Sequence, residues 1–178
     1  SDLEIHHNGT DSFIDEKGTG WLYIRGNNTV IGKYTGEIYM KGIADGAVEL
    51  YHNNVKKLDT TSTGIDVTGT VTATSSAETV GTITTGTIDL ATGNVFADAP
   101  AANATYVFSN PAASGLANGF TLKITPSATV TITWPTSVDW AAATAPDAPA
   151  SGATNVYTFY TTDGGTTYYG FLAGGAMG

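Results

Sequence analysis

Cysteine is absent from the 178 residues, which excludes a disulfide-stapled scaffold, a thiolate metal site and a cysteine nucleophile. No apolar run is long enough for a membrane-spanning helix. The first residues lack the basic-then-apolar pattern of a signal peptide. Charge is scarce as well: Asp, Glu, Lys and Arg make up 13% of the chain, about half the globular share of roughly 25%. Basic residues are scarcer still. Six of the seven (Lys17, Arg25, Lys33, Lys41, Lys56, Lys57) fall in the first third, and only Lys123 follows, within a formal net charge of −9. Such a surface repels phosphate, so neither nucleic-acid binding nor membrane insertion is expected. Helical periodicity of useful length is also missing.

What remains is the composition of strands and turns. Threonine suits a pleated surface, and the 22 glycines supply the positive φ of tight turns. Apolar residues at 41% are frequent enough for a core and regularly spaced, which sets the chain apart from disordered sequences. The chain opens in strand alternation at Ser1–Ile5 with no initiator Met, as expected of a piece of something longer. Gly174–Gly178 reads as a natural terminus.

Three segments differ in character. Residues 1–60 hold short alternating runs ended by turns: Leu3–His7 before Asn8-Gly9, Phe13–Asp15, Trp21–Arg25, Glu37–Lys41, and Val48–His52 before Asn53-Asn54. Leu3-Glu4-Ile5-His6-His7-Asn8 aligns with Val48-Glu49-Leu50-Tyr51-His52-Asn53, an internal repeat of the kind found where units stack on their neighbours. Residues 61–96 are rich in Thr and Gly and poor in bulky side chains. Gly64–Val71 recurs loosely as Gly86–Val95. Strands so thin cannot close a core alone; they need partner copies around an axis or a neighbouring domain to lie on. Residues 97–178 carry longer strands: Tyr106–Phe108, Phe120–Ile124, Thr129–Trp134, and a hairpin of Val156–Tyr160 and Tyr168–Leu172 around Asp163-Gly164-Gly165-Thr166. Between them, Pro135–Ala153 reads as a long loop.

These stretches resemble a family. Asp2–Arg25, Ala44–Tyr51, Lys56–Leu58 and Thr60–Gly69 are similar to repeats in tail-fibre proteins of marine and cyanobacterial phages. Gly119–Lys123, Trp134-Pro135 and Thr161–Phe171 resemble a C-terminal module of phage structural proteins. The resemblance implies a homotrimeric fibre on the virion that is joined to the rest of the fibre and tail. It also implies contact with a bacterial surface glycan or outer-membrane receptor. Many such proteins end in a self-cleaving chaperone, and no segment here resembles one.

Candidate chemistry is thin. Alternation puts Leu3, Ile5 and His7 on one strand face, and Val48, Leu50 and His52 on one face of the repeat copy. Around a three-fold axis His7 or His52 could supply imidazoles to a metal. The preferred reading is that each histidine bonds a nearby turn or backbone group, with His6 exposed on the opposite face and no cofactor. Asp11, Asp15, Glu16, Glu37 and Asp45 could be paired as glycosidase carboxylates, yet they lie where acids usually cap turns and solvate edges. Among the aromatics, Trp134 and Phe159 read as core. Trp140, Tyr168 and Tyr169 are the candidates for receptor contact, because apolar sugar faces pack on rings. The expectation is therefore an all-β, non-enzymatic, elongated homotrimer. It has a β-repeat segment (1–60), a Thr/Gly-rich neck (61–96) and a C-terminal β-sandwich knob of jelly-roll type (97–178). A tailspike depolymerase, a capsid fibre or a bacterial adhesin are the alternatives.

Overall fold

The structure, a computed structural model, describes residues 2–178. The chain is all-β and divides into two compact units between Thr74 and Ser75.

In the N-terminal unit β1 (Leu3–His7) and β2 (Ser12–Glu16) form an antiparallel hairpin. The Asn8 side chain turns the chain by accepting the amides of Thr10 and Asp11, and Gly9 takes the positive φ. A five-stranded antiparallel meander follows in chain order: β3 (Asn28–Gly32), β4 (Ile38–Ile43), β5 (Val48–His52), β6 (Val55–Thr60) and β7 (Ile65–Val67). Asn53 and Asn54 both have positive φ, the two-residue connection that matches strand twist and favours asparagine. Trp21–Arg25 joins none of these sheets. Alternation alone makes a strand only where another strand takes its hydrogen bonds.

The register gives the meander two unlike faces. One row crosses all five strands as Ile31, Met40, Leu50, Leu58 and Val67, with Ile38, Val48, Val55 and Ile65 on the same side. The opposite side carries Lys41, Glu49, Asp59 and Asp66 in register. There Lys56 bridges Asp59 at 2.9 Å and Glu49 at 3.6 Å, and the Tyr51 hydroxyl donates to Glu49. Nothing covers the apolar side: among the described residues before Ile88 none is fully buried. The β1–β2 hairpin repeats this division. Leu3, Ile5 and Ile14 share one exposed face, while Glu4 pairs with Lys17 on the other.

The C-terminal unit is built differently. Its strands are β8 (Thr87–Asp89), β9 (Val95–Asp98), β10 (Ala104–Thr105), β11 (Val107–Ser109), β12 (Asn118–Ile124), β13 (Ile132–Thr133), β14 (Val138–Trp140), β15 (Thr154–Thr161) and β16 (Tyr168–Met177). One sheet runs β14-β16-β15-β12-β9. Its three central strands are antiparallel and its two outer ones parallel to their neighbours. Over its inner face lie two short parallel ladders, β8 with β11 and β10 with β13. In place of a two-sheet jelly roll, the core is thus held between one sheet and two ladders. Phe120 stacks on Phe159 at 4.9 Å, and Phe108 meets Phe120, Phe159 and Tyr168 edge-on. Trp134 packs edge-on to Trp140 and Tyr157.

The division at 60 and 96 does not match these units. Ile65–Val67 completes the N-terminal meander, whereas Ile88, Leu90 and Phe96 are buried in the C-terminal core. The thin strand β8 found a neighbouring layer to lie on, so the end of the expected neck joins the core, while residues 61–80 stay exposed.

Gly170 is a fixed point of this core. A Cβ there would sit 2.9 Å from the Trp140 ring and from Val138 Cγ1, so its absence lets Trp140 lie flat across the sheet. Gly170→Ala is expected to lower stability by about 1–3 kcal/mol, the usual cost of overpacking, read as a shift in the denaturation midpoint of the full chain.

Candidate functional site

Strand alternation sorts the aromatics of β15 and β16 into two sets. Tyr157, Phe159, Tyr168 and Gly170 face the core, and Tyr160, Tyr169 and Phe171 face outward. The candidate set Trp140, Tyr168 and Tyr169 is therefore split. Trp140 is 8% exposed and Tyr168 is 2% exposed, so both are core residues and neither offers a ring to a receptor. Trp140 belongs to strand β14, inside the stretch read as a loop. The alternation Val138-Asp139-Trp140, apolar around one acid, was the signal for it. Tyr169 alone of the three presents its ring. Phe171 was not singled out, although it lies two residues from Tyr169 on the same strand and so on the same face.

Across the outward face Tyr160 stands opposite Tyr169 and Thr158 opposite Phe171. Asp139 on the edge strand pairs in register with Tyr169. The Tyr160 and Tyr169 rings are 5.1 Å apart, and Phe171 lies parallel to Tyr160 at 6.3 Å. Beside them a cleft of about 180 Å³ is lined by Asp139, Trp140, Ala141, Tyr169, Gly170 and Phe171. A larger hollow of about 510 Å³, lined by Thr79–Thr92 residues, has Asp89 as its acid. Asp89 already accepts from the Ala91 amide and the Asn110 side chain.

The β15–β16 connection is rigid. Both oxygens of Asp163 accept the Thr167 amide, at 3.0 and 3.1 Å, and Oδ1 also accepts the Thr161 hydroxyl. These bonds, that of Thr167 foremost, hold the Asp163 carboxyl below the ordinary carboxylate range. Thr161 Oγ1 in turn accepts the Gly165 amide. Behind the turn the buried Tyr168 hydroxyl has no hydrogen-bond partner among the described residues.

The histidines do other work. His7 and Leu3 share a face as expected, and His7 Nδ1 meets the Ser12 hydroxyl at 3.3 Å. His6 is exposed and stacks on Phe13 at 4.8 Å. His52 is exposed at the end of β5. Within one chain, no three His, Asp or Glu among the described residues are grouped to hold a metal. Asp15 lies near His6, Glu16 accepts the Gly18 amide, and Asp45 occupies a positive-φ turn.

Comparison with protein-family models, with curated proteins and with solved structures finds no match to this chain. The fold defines an all-β protein of two units, with a row of exposed rings on one sheet of the C-terminal unit.

Two outcomes are expected here. Asp163 has a lowered folded pKa, so its contribution to stability is complete above the unfolded carboxylate range near about pH 4. It is lost as pH falls through the folded value. Asp163→Asn should therefore be less stable than the parent at neutral pH, with the gap closing in acid, as measured by melting across a pH series. Tyr168→Phe removes a hydroxyl with no partner, so stability should hold or rise by about 1 kcal/mol in the same assay.

Proposed function

We propose that this chain is a structural segment of a bacteriophage tail fibre. It assembles as a homotrimer and attaches the virion to a bacterial surface glycan or outer-membrane receptor through its C-terminal unit. The carrying observation is the uncovered apolar row Ile31, Met40, Leu50, Leu58 and Val67. A sheet face of this kind costs roughly 25 cal/mol for each Å² left in water. Its occupant is a second and third copy of the same chain. The opposite face carries charge, with Lys56 paired to Glu49 and Asp59, so the apolar side is the one suited to meet them. The number three follows from the resemblance to phage fibres. In this reading the hairpin repeat and the meander form the shaft, and the C-terminal unit is the knob.

The reading also supports a structural role over hydrolysis. Of the acids considered as catalytic candidates, Glu16 accepts the Gly18 amide and Asp15 lies beside His6, while Asp45 sits in a positive-φ turn.

Light scattering of the full chain should give three times the chain mass. Leu50→Lys with Leu58→Lys, which places charge in the apolar row, should shift the mass to that of a single chain. A parent that is monomeric at micromolar concentration would remove the trimer. Adsorption of the full chain to host cells should depend only weakly on salt, because the C-terminal unit has a single basic residue, Lys123, and ion pairs are what salt screens.

A further inference from the structure

The fold leaves three rings in water that it does not need. Tyr160, Tyr169 and Phe171 are 44%, 41% and 51% exposed, and they lie on the side of the sheet opposite the packed core. The hydroxyls of Tyr160 and Tyr169 make no hydrogen bond among the described residues. Gly119 stands across from Tyr160, with Thr121 opposite Thr158 next to it, so small side chains leave the ring faces open on that flank. On the other flank stands the exposed carboxylate of Asp139.

We propose that Tyr160, Tyr169 and Phe171, with Asp139 at their edge, form a binding site for neutral sugar residues. A pyranose presents an apolar C–H face to a ring and a rim of hydroxyls to polar neighbours. The ring row takes the first, and Asp139 with the two phenols takes the second. The 180 Å³ cleft between Asp139 and Phe171 is smaller than the roughly 300–1,000 Å³ of a drug-sized pocket, and suits one sugar ring at the end of the row.

Charge disfavours an anionic ligand. Asp139 is the acid in register with the rings. Lys123 shares the outward face but lies on β12, two strands across from Phe171 and two residues beyond the Phe171–Thr158–Thr121 row, about 7 Å along the strand. An anionic sugar would meet the acid first.

A second copy of the chain is the poorer occupant on area. Three rings of about 150–250 Å² each, a little under half exposed, offer about 300 Å² in all. A stable interface needs about 800 Å² on each partner. That the sugar belongs to a bacterial surface rests on the tail-fibre reading; the site itself does not. Where three chains assemble, three such sites would raise weak single affinities by avidity.

The test is saturation-transfer NMR on the full chain. Methyl glucoside, methyl galactoside and methyl mannoside serve as neutral probes and glucuronate as the anionic one. At least one neutral probe should receive saturation through its ring C–H protons and bind more tightly than glucuronate. Tyr169→Ala with Phe171→Ala should weaken it by about ten-fold or more, with oligomeric mass and melting unchanged. Asp139→Asn, an exposed change that leaves the core alone, should also weaken it and narrow the preference against glucuronate. No transfer to any neutral probe, or affinity unchanged in Asp139→Asn, overturns the proposal. A change in oligomeric mass in the ring variant assigns the row to a second copy and also overturns it. Sugar binding that persists while the chain fails to adsorb to host cells removes the attachment reading and leaves the site. Adsorption that survives the ring variant removes the site as the receptor contact and leaves attachment.

Discussion

A sheet with one apolar face is stable only when that face leaves water, and within the described residues only the C-terminal unit meets that requirement by itself. In the C-terminal unit the chain supplies its own cover. The short ladders of β8 with β11 and β10 with β13 lie over the inner face, and Ile88, Phe96, Tyr106 and Leu122 are out of solvent. In the N-terminal unit the apolar row from Ile31 to Val67 has no cover. Each buried aliphatic side chain contributes about 1.5–3 kcal/mol, so a five-strand row without a partner forgoes most of what would hold it. Assembly is the natural remedy, and the internal repeat makes the same demand twice. In both copies the positions of Leu3, Ile5 and of Val48, Leu50 form the open face, while the glutamate between them pairs with a lysine behind it.

The scarcity of charge has a matching logic. In the N-terminal unit the basic residues Lys17, Lys41 and Lys56 are engaged on the polar faces, in ion pairs with Glu4, Glu49 and Asp59 or over the Tyr51 ring. Surface pairs of this kind contribute little to stability. They do set the polar face apart from the apolar one. In the C-terminal unit acids outnumber the single Lys123, and Asp89, Asp98 and Asp163 are spent on local hydrogen bonds. Asp163 closes the β15–β16 connection and Asp98 accepts the Tyr106 hydroxyl at 2.7 Å. Asp139 and the rings beside it stay exposed.

Adjacent residues illustrate how finely function and packing are interleaved. Tyr168 and Tyr169 are neighbours in sequence, yet a period of two sends the first into the aromatic core and the second into solvent. The core half of the hairpin fixes the backbone, through Gly170 under Trp140 and the Asp163 turn. The outward half inherits that rigidity at no cost to its exposure. Rings held on strands are better placed for a weak ligand than rings on loops.

Much of the fold was legible in the sequence because strands and turns are local events. Alternation located β1, β4, β5, β12, β15 and β16. The dipeptides Asn8-Gly9 and Asn53-Asn54 and the run Asp163-Gly164-Gly165 marked reversals that side-chain bonds and positive φ then made. Alternation also told which residues share a face, and so placed His7 with Leu3 and Ile5. It could not tell which face would be covered, or by what. That choice depends on contacts between segments far apart in sequence. For this reason the thin strand Thr87–Asp89 turned out to be core, Trp21–Arg25 found no ladder, and Trp140 and Tyr168 lie inside the fold while Tyr169 stays in water. The sequence determined the two-sidedness of every strand; only the tertiary structure decided which side each unit buries, because burial is settled by the partner and not by the strand.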